Sequence, residues 1–271
     1  MNCCFYSTPR NVVSWREMVD LAAEHHMDRL EILASKEFAT PDRAAARTLR
    51  EYADERGVSV CCFSMGAELT GEDAPQQIQR VIDYGEIAHI LGSPLLHFTV
   101  CKEYRDYPRI LAQKEELFRR SIAAVREIAD AIAPLGLKAV FENQGFLFNG
   151  LEGTARLLKE AERPIGLVAD FGNIRQVGEE ILPWLRAFAP YVAQVHLKDS
   201  VTEDTPAPQS LPVWDGRYVR EVEPLKGTVP LAEGIALLKE LGYQGAYSIE
   251  FATEDPALRR KIVENISRMT E

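Results

Sequence analysis

Short apolar runs alternate with longer amphipathic stretches along the whole chain. The runs are five to seven residues long, and several are rich in β-branched or aromatic side chains, which favours strands. They cover residues 3–7, 29–33, 58–64, 94–100, 138–142, 165–170, 192–198 and 246–251. The pattern therefore predicts eight strands.

The stretches between these runs carry the start and end signals of helices. Ser14, Thr40-Pro41 and Asp73 stand before stretches whose apolar residues recur with a helical period, where helix starts are expected. Glycines end four such stretches just before the next apolar run, as a left-handed helix cap requires. These glycines are Gly57, Gly92, Gly136 and Gly242.

Strands that alternate with helices, without a linker or a break in composition, predict parallel strands joined by right-handed crossovers. The simplest closed arrangement of eight such units is a (β/α)8 TIM barrel, an α/β fold. We expect one domain over residues 1–271. A doubly wound open sheet is the alternative, but no GxGxxG follows the first run and GxxxxGKS/T occurs nowhere.

The connection after the seventh run, about residues 200–228, is unusually long. It is rich in proline and contains Trp214 and Arg217. Because long connections in compact domains are usually functional, we predict a loop here that covers or binds the substrate.

Charge and cysteine content narrow the classes of partner. The 271 residues carry a formal charge of -10, which opposes attraction to nucleic acid and to anionic membranes. No apolar run reaches the length of about 18 residues needed for a membrane span, and the N-terminus lacks a signal-peptide pattern. We therefore expect a cytoplasmic protein with a small-molecule partner, and leave homo-oligomerisation open. The five cysteines contain no CxxC pair and are predicted to be reduced thiols.

Polar side chains occur near the ends of the last four runs, where TIM barrels carry their catalytic residues. Each of these side chains can bind a metal: Glu142, Asp170, His196 and Glu250. Three carboxylates and an imidazole at one rim are unfavourable unless a cation lies among them. The donors predict one divalent ion and fit Mn²⁺, Mg²⁺, Co²⁺ or Fe²⁺ better than a thiolate-bound structural zinc, with Zn²⁺ as a further option.

The order of these four residues, with "HLKD" at 196–199 and "YSIEF" at 247–251, resembles the xylose isomerase-like TIM-barrel superfamily of sugar phosphate isomerases and epimerases. The resemblance spans essentially the whole chain. It implies one divalent metal, most often manganese, that chelates two adjacent oxygens of a keto-sugar or related polyol. It also implies that Glu142 and Glu250 are both metal ligands and the acid-base pair.

The chemistry of such a site also favours proton transfer at the carbon next to a substrate carbonyl. A metal that polarises a carbonyl and the neighbouring hydroxyl acidifies the C–H between them and stabilises the resulting enediolate. A carboxylate on each face can then remove one proton and return another. We therefore predict a metal-dependent sugar isomerase or epimerase. A lyase, dehydratase or decarboxylase acting on a keto-sugar or inosose shares the enolate and is the alternative. A non-catalytic sugar-binding barrel is a third reading, which four intact ligands oppose.

The chain departs from the ketose 3-epimerase branch of this superfamily. Where that branch carries a second glutamate, an arginine and the histidine of a D-x-x-H motif, this chain has Phe148, Thr202 and Asn173. A free ketohexose is therefore disfavoured as the substrate. The three-metal abasic-site endonuclease of the superfamily is disfavoured too, because the chain is acidic and has only five histidines.

Five further residues are predicted to bind the substrate: His97, Asn173, Lys198, Trp214 and Arg217. Lys198 follows His196 by two residues and thus shares its strand face, where an ammonium can neutralise an oxyanion or a carboxylate. Glu31 is predicted to be an acid of the barrel interior that supports the site. Asn143 and Gln144 are predicted to orient Glu142 or to bind a hydroxyl.

Overall fold

The computed structural model describes residues 3–6, 14–102, 105–251, 253 and 255–270. Eight parallel strands close into a barrel: β1 (Cys3–Tyr6), β2 (Arg29–Leu33), β3 (Ser59–Met65), β4 (Leu95–Phe98), β5 (Lys138–Glu142), β6 (Gly166–Asp170), β7 (Val192–Leu197) and β11 (Tyr247–Glu250). Each strand pairs with the next in this order, and β11 pairs with β1. The predicted (β/α)8 barrel is confirmed.

The predicted strands agree closely with the observed ones. The largest difference is at the end of β4, which was predicted at Val100 and lies at Phe98. Ser7, the predicted end of the first strand, lies outside the described residues. The strand β3 shows why a short apolar run predicts a strand well, because a glycine, Gly66, directly follows its last residue, Met65.

Nine helices occur in the described part of the chain: α1 (Trp15–Glu24), α2 (Arg43–Asp54), α3 (Ala74–Leu91), α4 (Tyr107–Ala112), α5 (Lys114–Ile132), α6 (Leu151–Ala161), α7 (Ile181–Phe188), α8 (Leu231–Glu240) and α9 (Pro256–Thr270). Ser14 caps α1 in a reciprocal capping box with Glu17, as the sequence predicts. The helix α2 begins later than expected from Thr40-Pro41, because the carboxylate of Asp42 accepts from the backbone N–H groups of Ala44 and Ala45. All four predicted cap glycines have φ between 68° and 82°.

The connection after β7 differs from the irregular loop that its length suggests. It contains β8 (Asp199–Glu203), β9 (Leu211–Pro212) and β10 (Tyr218–Val222), which form an antiparallel sheet in the order β8-β10-β9. The buried carboxylate of Asp199 accepts hydrogen bonds from the backbone N–H groups of Ser200, Gly227 and Val229, at 2.8, 2.8 and 3.2 Å. This carboxylate joins the two ends of the connection, which is therefore a small folded unit.

The outer face of the barrel is apolar, whereas part of its interior is lined by polar side chains. Large side chains such as Trp184, Phe63 and Phe141 are fully buried and belong to the apolar core cluster of the molecule. Within the barrel, polar side chains are buried on several strands: Glu31, Ser64, His97, Gln194, His196 and Ser248. None of the described helices is both long and apolar enough to cross a lipid bilayer.

Candidate metal centre

The four residues predicted as metal ligands lie together at the carboxyl ends of adjacent strands. Each offers a ligand atom, and these atoms all lie within 4.8 Å of one another. Strand register explains this, because Asp170 on β6 stands directly beside His196 on β7. The side chains are almost fully buried. We call this set the rim cluster: Glu142, Asp170, His196 and Glu250.

His196 connects the rim cluster to the barrel interior below it. Its Nδ1 lies 3.3 Å from Glu142 Oε1 and 3.1 Å from Glu250 Oε2, whereas its Nε2 lies 2.9 Å from Glu31 Oε1. An ionised carboxylate can only accept, so Nε2 donates its hydrogen to Glu31. In the neutral ring Nδ1 then presents its lone pair to the rim cluster, as a metal ligand must.

A second group of polar side chains lies beneath the rim cluster. Glu31 is fully buried and accepts from Gln194 Nε2 at 2.7 Å, from the hydroxyls of Ser64 and Ser248, and from His196. We call this set the floor network: Glu31, Ser64, Gln194 and Ser248. Its position confirms the expectation that Glu31 is an interior acid beside the site.

The floor network also fixes the charge of its central carboxylate. Burial on its own would raise the pKa of Glu31, but the neighbouring His196 and His97 lower it far below the ordinary value. Conversely, burial would lower the pKa of His196, but Glu31, Glu142 and Glu250 raise it well above its usual value. Without a bound cation, the surrounding carboxylates therefore favour the protonated form of His196.

Lys198 and Asn173 contact the rim cluster directly. Lys198 Nζ lies 2.7 Å from both Asp170 Oδ2 and Glu250 Oε1. Asn173 donates from Nδ2 to Glu142 Oε1 at 3.0 Å, and its Oδ1 accepts from Lys198 at 3.3 Å. Burial would lower the pKa of Lys198, but Asp170 and the two rim glutamates raise it well above the usual value.

Hydrogen bonds with three residues hold Asp170 in place. Its Oδ1 accepts from the backbone N–H groups of Gly172 and Asn173, at 2.8 and 2.9 Å. Asn143 bridges β5 and β6, since it donates to the carbonyl of Asp170 and accepts from its N–H at 2.7 Å. Asn149, a residue not singled out in the sequence, accepts from Asn143 and donates to the carbonyl of Asn173. Burial raises the pKa of Asp170, with the rim glutamates adding to this effect and Lys198 opposing it.

His97 lies on β4 beside the same cluster. Its Nδ1 lies 3.0 Å from Ser64 Oγ, and its Nε2 lies 3.6 Å from Glu142 Oε2. Nε2 is buried and has no hydrogen-bond partner among the described residues. Burial would lower the pKa of His97, whereas Glu142 and Glu31 raise it. The geometry leaves one ring nitrogen free to contact a ligand of the rim cluster.

Trp214 and Arg217 lie away from the rim cluster, in the turn between β9 and β10. The Trp214 ring is about half exposed and lies 6.3 Å from Tyr107, in the wall of a cavity of about 220 Å³. None of the residues that line this cavity belongs to the rim cluster. Arg217 pairs with Asp215 at 2.8 Å. A role for either residue in substrate binding stays a prediction.

The residues present fit a divalent cation. Glu250 Oε2 is buried and, among the described residues, has an ion pair with His196 Nδ1 at 3.1 Å but no hydrogen bond of good geometry. Three carboxylates and one imidazole nitrogen converge there, which is a donor set for a hard or borderline divalent ion. When the His196 ring is neutral this buried oxygen has no donor, which is costly, and a cation at this point would satisfy it.

Comparisons with known proteins identify the same architecture. The model of a family described as xylose isomerase-like TIM barrel matches residues 19–271. No functionally curated protein matches the sequence significantly.

Solved structures match over nearly the whole chain. D-psicose 3-epimerase with D-tagatose, from Clostridium cellulolyticum H10, is 15% identical, with 100% of this chain and 98% of that chain covered and a TM-score of 0.77. A probable 3-DHS dehydratase from Bacillus anthracis is 15% identical, with 98% and 97% covered and a TM-score of 0.75. A xylose isomerase-like TIM-barrel protein from Mycobacterium smegmatis in complex with magnesium is 17% identical, with 94% and 88% covered and a TM-score of 0.72. Identities this low show a shared fold.

Proposed function

We infer that this chain, which belongs to the xylose isomerase-like TIM-barrel family, is a divalent-metal-dependent isomerase or epimerase of a keto-sugar or related polyol. One observation carries the proposal. Ligand atoms of Glu142, Asp170, His196 and Glu250 converge within 4.8 Å of one another at the catalytic end of a barrel. The family and the names of several structural neighbours, which include epimerases and a dehydratase, support a reaction of a sugar.

A metal held by the rim cluster would supply the Lewis acid that polarises the substrate carbonyl. The two rim glutamates then move the proton of the carbon beside that carbonyl. In both glutamates, Oε1 is hydrogen-bonded or ion-paired, Glu142 to Asn173 and Glu250 to Lys198. These contacts orient the carboxylates, which approach His196 from β5 and β11 on either side. One of them removes a proton from one face of the substrate and the other returns a proton to the opposite face.

The remaining site residues are proposed to bind the substrate. His97 Nε2 is free to contact an oxygen of the sugar. Lys198 and Asn173 are proposed to bind oxygens next to the reacting carbon, because both already contact the rim carboxylates. Trp214 and Arg217 are proposed to act at the outer end of the substrate. We also propose that residues 1–271 form one domain.

Manganese is the proposed ion. Oxygen-rich sites with one imidazole suit Mn²⁺ and Mg²⁺, and the Mycobacterium smegmatis neighbour is in complex with magnesium. Another neighbour, the IOLI protein, has a bound zinc atom, so Zn²⁺ belongs in the test. Metal analysis after incubation with Mn²⁺, Mg²⁺, Co²⁺, Fe²⁺ and Zn²⁺ checks this. The absence of any bound metal in every sample would end the proposal.

A dehydratase or other lyase is the second candidate. The observation that favours it is the ammonium of Lys198, which lies 2.7 Å from both Asp170 and Glu250 and can stabilise the negative charge that develops on a departing hydroxyl. Keto-sugars and inososes incubated with the Mn²⁺-loaded protein in D₂O separate the candidates. Epimerisation yields a product of unchanged mass plus one deuterium, whereas dehydration yields a product lighter by one water. Products that retain the original hydrogen would remove both glutamates from the proposed proton transfer.

A further inference from the structure

Lys198 contacts the rim cluster, and Lys102 lies close enough to Glu142 to interact with its charge, but the two lysines differ in their partners. Lys198 is paired with two rim carboxylates. Lys102 follows β4 and is partly buried, and its ammonium forms no ion pair or hydrogen bond with any residue that the structure describes. An ammonium that is partly withdrawn from water without a counter-ion is unfavourable. A positive charge is therefore available at this side of the barrel mouth.

The Lys102 ammonium lies beside a glycine, Gly66. Gly66 follows β3 and lies two residues beyond Ser64, whose hydroxyl faces the barrel interior. A Cβ at Gly66 would lie 2.9 Å from Lys102 Nζ, so the ammonium occupies the space of the missing side chain. Ser64 pairs in register with His97, and His97 with Val140. Gly66 and Glu142 each follow these paired residues by two positions, so they stand at the same height in the barrel.

The acids near Lys102 interact with its charge, but none of those that the structure describes forms an ion pair with its ammonium. The carboxylate of Glu68 is hydrogen-bonded elsewhere: Oε1 accepts from Thr70, and Oε2 accepts from the backbone N–H of Lys102. Arg80 donates to the carbonyl of Gly66 at 3.1 Å and adds a second positive charge. Burial lowers the pKa of Lys102, an effect that Arg80 increases and that Glu68 and Glu142 oppose. Among the described residues, the Lys102 ammonium is therefore close to Glu68 and Glu142 without being paired to either.

We propose that Lys102 binds an anionic group, a carboxylate or a phosphate, of the substrate that enters the rim cluster. This inference rests on the proposed function and narrows it: the substrate is a sugar acid or a sugar phosphate, and a neutral sugar binds more weakly. The ammonium lies on the β3–β4 side, across the barrel mouth from Lys198. It fixes the end of the substrate that does not react, and Arg80 adds to the attraction.

Isothermal titration of the Mn²⁺-loaded protein with three probes tests the proposal. D-fructose is neutral, 2-keto-D-gluconate carries a carboxylate and D-fructose 6-phosphate carries a phosphate. We expect the wild-type protein to bind at least one anionic probe about tenfold more tightly than D-fructose, the scale of one charge-assisted hydrogen bond. Lys102→Met loses that preference, and Lys102→Arg retains part of it. Lys159→Met, an equal change of charge on the exposed face of α6, leaves the preference unchanged.

Gly66→Ala gives an independent variant. Its added methyl group displaces the ammonium without removing the charge, so the preference for the anion is reduced while the net charge stays constant. Equal affinities of the wild type and Lys102→Met for both anions, including no binding by either, overturn the inference. Metal content is measured on the same samples, because a failure to bind metal contradicts the proposed function and not the role of Lys102. The titrations are repeated without metal so that the test of Lys102 stands in either case.

Discussion

The rim cluster and the floor network are two groups of buried polar side chains in one barrel, and they differ in how well their atoms are satisfied. In the floor network, both oxygens of Glu31 accept hydrogen bonds from serine, glutamine or histidine donors. In the rim cluster, buried Glu250 Oε2 has no hydrogen bond of good geometry with a described residue and is paired with His196 Nδ1 alone, at 3.1 Å. A fully satisfied network specifies a structure, whereas an unsatisfied acceptor marks a place for a ligand.

His196 is a member of the rim cluster and also forms a hydrogen bond to the floor network. Its Nε2 donates to the floor network and its Nδ1 faces the rim cluster. The floor network therefore sets the tautomer and the ring orientation, and the rim cluster uses the nitrogen that is left. Substitutions in the two groups should therefore differ in their effects on metal binding and on turnover.

The largest effect is expected from His196→Ala, which removes a rim ligand and a hydrogen-bond donor to the floor network. The variant should bind little or no divalent metal and should show no metal-dependent turnover, and Asp170→Asn should resemble it. In the wild type, an ion that binds only the folded state adds about 2.7 kcal/mol of stability when its free concentration is 100 times Kd. Metal analysis and thermal unfolding with and without Mn²⁺ measure both effects. His89→Ala, outside the barrel on α3, is the control and should behave like the wild type.

Substitution of a rim glutamate should leave the fold intact but reduce turnover. Glu142→Gln and Glu250→Gln keep the size of the side chain and remove its basicity. Each should lower kcat by about a hundredfold or more, the scale of a lost general base. Metal binding should weaken but persist, since three ligands remain. Glu233→Gln, on the exposed side of α8, is the matched control. Turnover of Glu142→Gln close to that of the wild type would show that this carboxylate is not a catalytic base.

The sequence predicts the rim cluster better than the floor network, and the reason is physical. Strand alternation and the rule that parallel strands end at one rim bring Glu142, Asp170, His196 and Glu250 together without any knowledge of packing. The contacts of the floor network depend on the closure of the barrel. Glu31 and His196 are 165 residues apart and meet across the interior, so neither their hydrogen bond nor its direction follows from local pattern.

The structure of the connection after β7 likewise does not follow from local sequence pattern. Its length indicates a functional segment, but the antiparallel sheet depends on pairing between β8 and β10 and on the backbone hydrogen bonds of Asp199. Residues 200–228 contain several prolines, which local rules assign to a loop. Asn149 was likewise missed, because an asparagine after a strand has no distinctive signal until Asn143 and Asn173 are near it.

A smaller effect is expected when the floor network alone is changed. Glu31→Gln keeps an acceptor for His196 Nε2 but removes the charge that holds the imidazole, so metal affinity should fall by about 10- to 100-fold. At saturating Mn²⁺, kcat should stay close to that of the wild type, because the rim glutamates are untouched. Ser248→Ala removes one donor to Glu31 and should cause a smaller loss of affinity in the same direction. A fall in kcat without a change in metal affinity would contradict the orienting role of Glu31.

The smallest expected effect is the release of protons when metal binds. It follows from the position of His196 between the two groups. Because Glu31, Glu142 and Glu250 raise its pKa well above the ordinary value, the ring is protonated at neutral pH when no metal is bound. A metal needs the neutral ring, so metal binding releases at least one proton and its affinity rises with pH until the metal-free ring is itself deprotonated. Calorimetric titration of Mn²⁺ at pH 7 in two buffers of different ionisation enthalpy measures that number. Glu31→Gln removes one of the charges that raise the pKa and should reduce the proton release. Equal heats in both buffers for the wild type would show that His196 is already neutral, and that the floor network orients the ring without holding its second proton.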